Sequence, residues 1–212
     1  MKKIKVCPNE YEHACWAKGQ LVLGIDEAGR GPLAGPLCTA GVIFEPGYEN
    51  PDIYDSKAIS EKKRDFLYDQ IMEDALAFEI IVVSPEEIDR LNIYRADKEA
   101  MRRIAEDLQS DIVLTDAMPL SLDRECISLI KGDQKSVSIA AGSILAKVTR
   151  DRIMEEYDRM YPEYGFARHK GYPTKAHLEA IDRYGITPIH RRSFGPVSVK
   201  QQSLDLFADD TE

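Results

Sequence analysis

Long apolar runs are missing from this 212-residue sequence, which excludes a bundle of membrane-spanning helices. The basic start (Lys2, Lys3, Lys5) does not lead into an apolar core either. Pro8 to His13 is polar, unlike a secretory leader, so a cytoplasmic protein that avoids membranes is expected. Paired cysteines are lacking as well. Cys7, Cys15, Cys38 and Cys126 are scattered with no C-x-x-C spacing and read as reduced, partly buried thiols. His13 beside Cys7 and Cys15 supplies too few ligands for a closed metal site. No repeat, low-complexity stretch or Pro/Gly/Ser linker divides the chain. The expectation is one domain over residues 1–197, helical from about 160, a tail over 198–212, and a monomer. Positive charge is also short. A net charge of −9 weighs against a polyanionic partner, but residues 131–200 carry about +5, residues 1–130 about −10 and the last dozen about −4. Acids that bind a cation would have their charge cancelled by it.

What is present is a succession of short apolar runs and helical patterns. Leu21 to Ile25, Leu37 to Phe44, Ala77 to Val83, Asp111 to Thr115 and Cys126 to Ile130 read as strands, and the Gly-rich link between the first two suits a hairpin. Ser60 can cap a helix running to about Ala75. Ser84, Pro85 and Glu87 form a helix start with a capping box. Arg95 to Leu108, Ser138 to Met160 and Thr174 to Tyr184 have helical spacing, the last closed by Gly185. Strands interleaved with helices predict an α/β layer fold with helices on a mixed sheet.

Chemistry is concentrated at strand ends. Asp26-Glu27-Ala28-Gly29-Arg30-Gly31-Pro32 follows the first strand. Neighbouring side chains on a strand face opposite ways, so both acids serve one site only where the strand ends, and the glycines supply that break. Arg30 offers a fork of donors suited to phosphate. The same residues also read as a solvated acidic turn. Asp116 follows the fourth strand and Asp133 the fifth, and each alone reads more readily as a turn or cap residue. In combination, carboxylates meeting at one sheet edge are what hard divalent cations need. Two such cations about 4 Å apart can activate a water and stabilise the leaving oxygen of a phosphodiester. No histidine adjoins any of the four acids, and this chemistry needs no side-chain base.

Five blocks resemble the ribonuclease HII family, in the family's order over roughly residues 20–197. They are Gly24 to Pro36, Asp55-Ser56-Lys57, Ser138 to Asp151, His169-Lys170-Gly171-Tyr172-Pro173-Thr174, and His190 to Val197. The resemblance implies a ribonuclease H-like mixed sheet flanked by helices, with a helical C-terminal appendage. It implies Asp26, Glu27, Asp116 and Asp133 as catalytic ligands of Mg²⁺ or Mn²⁺. The Gly29-Arg30-Gly31 turn would contact the ribonucleotide and sense its 2′-hydroxyl. Tyr172 would stack beside the sugar following the scissile phosphate; from its residues alone it reads as a core aromatic in a Gly-Tyr-Pro turn. Lys147, Arg150, Arg191 and Arg192 are expected on backbone phosphates, with Ser143 assisting. The implied reaction is endonucleolytic hydrolysis 5′ to a ribonucleotide, in RNA–DNA hybrids and in DNA duplexes with embedded ribonucleotides, leaving 3′-hydroxyl and 5′-phosphate ends. Ala58-Ile59 and Arg95 depart from the usual family residues without touching the four acids. Finally, Ser203-Leu204-Asp205-Leu206-Phe207 resembles a peptide that binds the DNA sliding clamp through Leu204, Leu206 and Phe207. A second register, from Gln201 through Leu204 to Phe207, resembles the clamp-binding box of archaea and eukaryotes.

Overall fold

The computed structural model describes residues 7–200, and these divide into two compact units. The first comprises the chain up to Ala28, Cys38–Val82 and Asp97–Thr149; the second comprises Gly29–Leu37, Val83–Ala96 and the chain from Arg150.

The first unit is built on a five-stranded sheet in the order β3-β2-β1-β4-β5. Its strands are β1 (Val22–Ala28), β2 (Leu37–Ile43), β3 (Ala77–Val83), β4 (Ile112–Asp116) and β5 (Glu125–Leu129). β1 runs antiparallel to β2, β4 lies parallel to β1, and β5 parallel to β4, so the sheet is mixed as expected. One boundary differs in a way that matters. The strand expected to stop at Ile25 continues to Ala28, because β2 keeps pairing with it through Glu27 opposite Thr39 and Ala28 opposite Cys38. Pairing with β4 ends at Ile25 opposite Thr115. Beyond Ile25 the register of β1 is kept with β2 alone.

Leu23, Ile25, Ile43 and Val113 from the sheet pack with Met101, Ile104 and Ala105 of α4 (Ile93–Asp107). α2 (Glu61–Asp74) starts as read, with Ser60 Oγ accepting from the Lys63 amide at 3.3 Å. The long helix α5 (Val137–Met160) crosses β1 at very short range. A β-carbon on Gly24 would fall 2.3 Å from the Ile139 amide, and one on Gly142 would fall 2.7 Å from the Ala40 carbonyl. A short helix α1 (Glu10–Trp16), not foreseen, completes the start of α5. Asn9 Oδ1 accepts from the Val137 amide at 2.9 Å, and the buried Glu12 carboxylate accepts from the Ser138 amide at 3.2 Å and from the Ser136 hydroxyl. These contacts satisfy amides that a helix start otherwise leaves open.

The second unit packs α3 (Pro85–Leu91), the later part of α5, α6 (Phe166–His169) and α7 (Lys175–Tyr184) with the segment Gly29–Leu37. Leu33, Ala34, Met154, Tyr164, Phe166, Ile181, Ile189 and Val197 form its core. The Gly29–Leu37 segment is laced in by backbone: the Leu33 amide donates to the Gly171 carbonyl, Gly35 to Ile189, and Arg191 to Leu33, each at 2.8 Å. Thr174 caps α7 through its hydroxyl, which accepts from the His177 amide at 3.3 Å.

Among the described residues no helix is long and apolar enough to cross a membrane. None of the four cysteines is in a disulfide. The basic start and the clamp-binding tail, with Leu204, Leu206 and Phe207, lie outside the described residues.

Candidate active site

The sheet topology of the first unit sets three of the expected acids side by side in sequence-distant positions. β1 and β4 are parallel neighbours, so Asp26 just past the Ile25–Thr115 pair comes level with Asp116 at the end of β4. β5 is the next parallel strand, and the chain leaving it turns through Lys131 (φ 57°) into a 3-10 turn, Gly132–Gln134, that carries Asp133. Asp116 Oδ1 accepts from the Gly132 amide at 2.8 Å, which ties the two strand ends together. Asp26 Oδ1 accepts from the Glu27 amide at 2.8 Å.

Asp26 is buried and its carboxyl lies well above the usual carboxylate range, first through burial, then through the charges of Glu27 and Asp116. Its bonds from Ser143 and from the Glu27 amide act the other way. Asp133 is raised to about 6 by burial, by Asp55 and by Asp116, against an opposing pull from Lys57. The charges of Glu27, Asp26, Asp116 and Asp133 are thus linked in that order. Glu27, still paired with Thr39 inside β1, nevertheless alternates in side-chain direction with Asp26, so the strand break expected between the acids and their site is not where the sequence put it. Among the described residues no three His, Cys, Asp or Glu side chains are already gathered into a cage. The donor chemistry nevertheless fits a hard divalent cation: every ligand atom is a carboxylate oxygen, and positive charge there would relieve the repulsion that raises Asp26 and Asp133.

Ser143 was expected to assist substrate contact. It is buried instead, with its hydroxyl 3.0 Å from that of Ser56 and bonded to Asp26. The close approach of α5 at Gly142 brings it there, because a side chain at 142 would strike the Ala40 carbonyl. Lys147 sits one helical turn further along the same face of α5 and is half-buried. Sequence reasoning gave Asp55 no role of its own. It is the foremost charge acting on Asp133, and its own oxygens accept from the Lys57 amide at 2.9 Å and from Gln134 Nε2 at 3.1 Å. The signal was a second acid inside the Asp-Ser-Lys block.

The remaining expected residues belong to the second unit. Gly29 is buried with φ 104°, and a β-carbon there would fall 2.2 Å from Arg150 Nε, so only glycine fits. Gly31 is exposed, and a β-carbon there would stand 3.5 Å from Tyr172 Cε1. Tyr172 is 44% exposed, so the core-aromatic reading is wrong and its ring is open to a partner. Two arginines require correction. Arg191 is fully buried and donates to backbone carbonyls: Nε to Gly35 at 2.9 Å, Nη1 to Arg30 at 3.2 Å, and Nη2 to Gly29 at 2.7 Å and Pro36 at 3.0 Å. Arg150 is 1% exposed and donates to the carbonyls of Pro36, Lys170 and Ala34. Neither guanidinium faces a phosphate, because unpaired carbonyls in a glycine-rich loop need buried donors. Arg192 is exposed, its amide docked on Asp89 of α3 at 2.8 Å.

Comparison with known proteins identifies the family and the fold. The model of the family Ribonuclease HII matches residues 23–197. A ribonuclease HII of Bacillus licheniformis is 52% identical over 194 residues, which are 90% of this chain and 76% of that one. Among solved structures, the ribonuclease H2 of Pyrococcus horikoshii superposes with a TM-score of 0.72 at 25% identity, covering 87% of this chain and 99% of that one. The ribonuclease HII of Archaeoglobus fulgidus, solved in complex with PCNA, superposes with a TM-score of 0.71 at 27% identity, covering 82% and 95% of the two chains. The fold is therefore the ribonuclease H-like one, a mixed sheet with helices and a helical C-terminal region, and the chain belongs to the ribonuclease HII family.

Proposed function

We propose that the chain is an endoribonuclease that hydrolyses the phosphodiester on the 5′ side of a ribonucleotide, in RNA–DNA hybrids and in DNA duplexes with embedded ribonucleotides. The observation that carries this reading is the linked set of four carboxylates at the ends of β1, β4 and β5, in a chain of this family. Asp26, Glu27, Asp116 and Asp133 would hold Mg²⁺ or Mn²⁺. Bound there, the cations supply activation of the attacking water and stabilisation of the leaving oxygen. The protein's own part is positional. Ser143 and the Glu27 amide fix Asp26, the Gly132 amide fixes Asp116, and the 3-10 turn presents Asp133. Gly29-Arg30-Gly31 contacts the ribonucleotide and Tyr172 offers its exposed ring to the sugar. Lys147 and Arg192 remain the candidates for backbone phosphates, which position a duplex without reading its sequence. The cut leaves 3′-hydroxyl and 5′-phosphate ends.

A labelled DNA duplex with one ribonucleotide, beside an all-DNA control, tests the reading. The expected result is a cut 5′ to the ribonucleotide that needs Mg²⁺ or Mn²⁺ and stops with chelator, the control staying intact. Cutting of both duplexes would discard ribonucleotide sensing, and cutting of neither, nor of a long hybrid, would discard the enzyme.

The tail is proposed to dock on a DNA sliding clamp through Leu204, Leu206 and Phe207, supported by the PCNA complex of the Archaeoglobus relative. Unchanged clamp affinity after deletion of residues 201–212 would rule it out. The protein is placed in the cytoplasm, acting as a monomer, where thiols such as its four cysteines stay reduced.

A further inference from the structure

The carbonyls taken up by Arg191 belong to the turn that the proposed function assigns to sensing, and their direction has a consequence. A trans peptide is planar, so its C=O and its N–H point opposite ways. The Gly29 carbonyl shares a peptide with the Arg30 amide, and the Arg30 carbonyl shares one with the Gly31 amide. No cis peptide interrupts the turn. Arg191 draws both carbonyls onto one guanidinium, Gly29 at 2.7 Å and Arg30 at 3.2 Å. The two amides must then be turned away from the buried cation. At Gly31 no β-carbon covers the backbone, and the Tyr172 ring borders the gap that one would occupy.

We infer that Arg191 is the positioning residue for ribonucleotide specificity: by clamping the carbonyls of Gly29 and Arg30 it aims the amides of Arg30 and Gly31 at the 2′-hydroxyl. This rests on the reading that the turn senses that hydroxyl. The geometry also explains why arginine stands here. The planar fork reaches four carbonyls from three nitrogens at once, whereas a lysine ammonium presents three donors from a single point. Arg150 is the internal comparison. It is just as buried and lies against Gly29, but it donates to the carbonyls of Ala34, Pro36 and Lys170 where Arg191 takes those of Gly29 and Arg30.

The test is made on the full chain with Mg²⁺. kcat and KM are measured for a duplex with one ribonucleotide and for its 2′-deoxy and 2′-fluoro counterparts, in the wild type, Arg191→Lys and Arg150→Lys, with thermal midpoints alongside. A site that bonds a hydroxyl rejects an analogue lacking it by roughly 10⁴-fold. Arg191→Lys is expected to lower that ratio by about tenfold or more, while Arg150→Lys loses comparable stability and keeps the ratio. Equal ratios in wild type and a folded Arg191→Lys would overturn the inference. A wild type that does not discriminate would overturn the sensing reading instead. Should Arg191→Lys not fold, amide NMR of the wild type with Ca²⁺ in place of Mg²⁺ still decides. The Arg30 and Gly31 resonances are expected to shift with the ribonucleotide duplex and not with the 2′-deoxy one; identical shifts would overturn the inference.

Discussion

Asp116 and the two glycines flanking Arg30 show how far single residues can be pushed. Asp116→Asn keeps an oxygen for the Gly132 amide, so the fold is expected to survive. It removes a charge from the linked acids, and turnover should fall by at least ~100-fold, given that even partners of metal ligands cost 10–100-fold. Near-wild-type turnover of a folded Asp116→Asn would remove Asp116 from the catalytic set. The glycines separate shape from function. Gly29→Ala meets a φ of 104° and a clash with Arg150, and should cost about 1–3 kcal/mol of stability in urea denaturation. Gly31→Ala has room at 3.5 Å from Tyr172, so stability should change little while cutting at a ribonucleotide drops. The acids were legible because each follows an apolar run. The burial of Arg191 was not. Beside a second arginine it reads as a surface cation, and its acceptors are backbone carbonyls, which no residue letter marks.

At the scale of elements, helix starts were the most readable feature. Ser60, and Ser84 with Pro85, each announce a cap, and each cap bond is present. α1 was not readable because its purpose is remote: Asn9 and Glu12 complete the start of α5 rather than cover a core with an apolar stripe. The crossing of α5 over β1 predicts that Gly24→Ala costs about 3 kcal/mol, since its β-carbon would meet helix backbone. Activity should fall with it as Ser143 is displaced from Asp26; a fully stable Gly24→Ala would contradict this packing. The turn between α6 and α7 depends on a pair of imidazoles. The Thr187 amide donates to His190 Nδ1 at 2.9 Å, so His190 Nε2 carries the proton and donates to His177 Nε2 at 3.1 Å. His177 Nδ1 then donates to the Tyr172 carbonyl at 3.0 Å. Burial lowers both rings from 6.5 to about 4. Below pH 6.5 the unfolded chain takes protons that the folded one refuses until about 4. Stability from the pair is therefore complete above 6.5 and lost as pH falls toward 4, roughly 3 kcal/mol for one ring and less than double for two coupled rings. Urea midpoints at pH 7 and pH 5 measure it, and His177→Gln should flatten the slope.

For the molecule as a whole, the uneven charge is the feature that the net value of −9 conceals. If the carboxylate set binds cations, Mg²⁺ or Mn²⁺ at a hundredfold excess over Kd should stabilise the folded chain by about 2.7 kcal/mol, a rise of roughly 5–10 °C in Tm. Asp116→Asn should blunt that rise, and a wild-type Tm indifferent to both metals would argue against the site. The architecture itself was legible as an α/β layer fold, since alternating apolar runs and capped helices leave few alternatives. The division into two units was not, because the segment Gly29–Leu37 belongs with residues far down the chain and no linker composition marks the boundary. The same segment has a consequence for how the enzyme comes into being. Arg191 meets the Arg30 carbonyl across 161 residues of chain. At translation rates of about 5–20 residues per second, the turn emerges from the ribosome roughly 8–30 s before its clamp. A nascent chain already carrying all four acids would thus lack its means of telling ribose from deoxyribose, and discrimination would be among the last properties the polypeptide acquires.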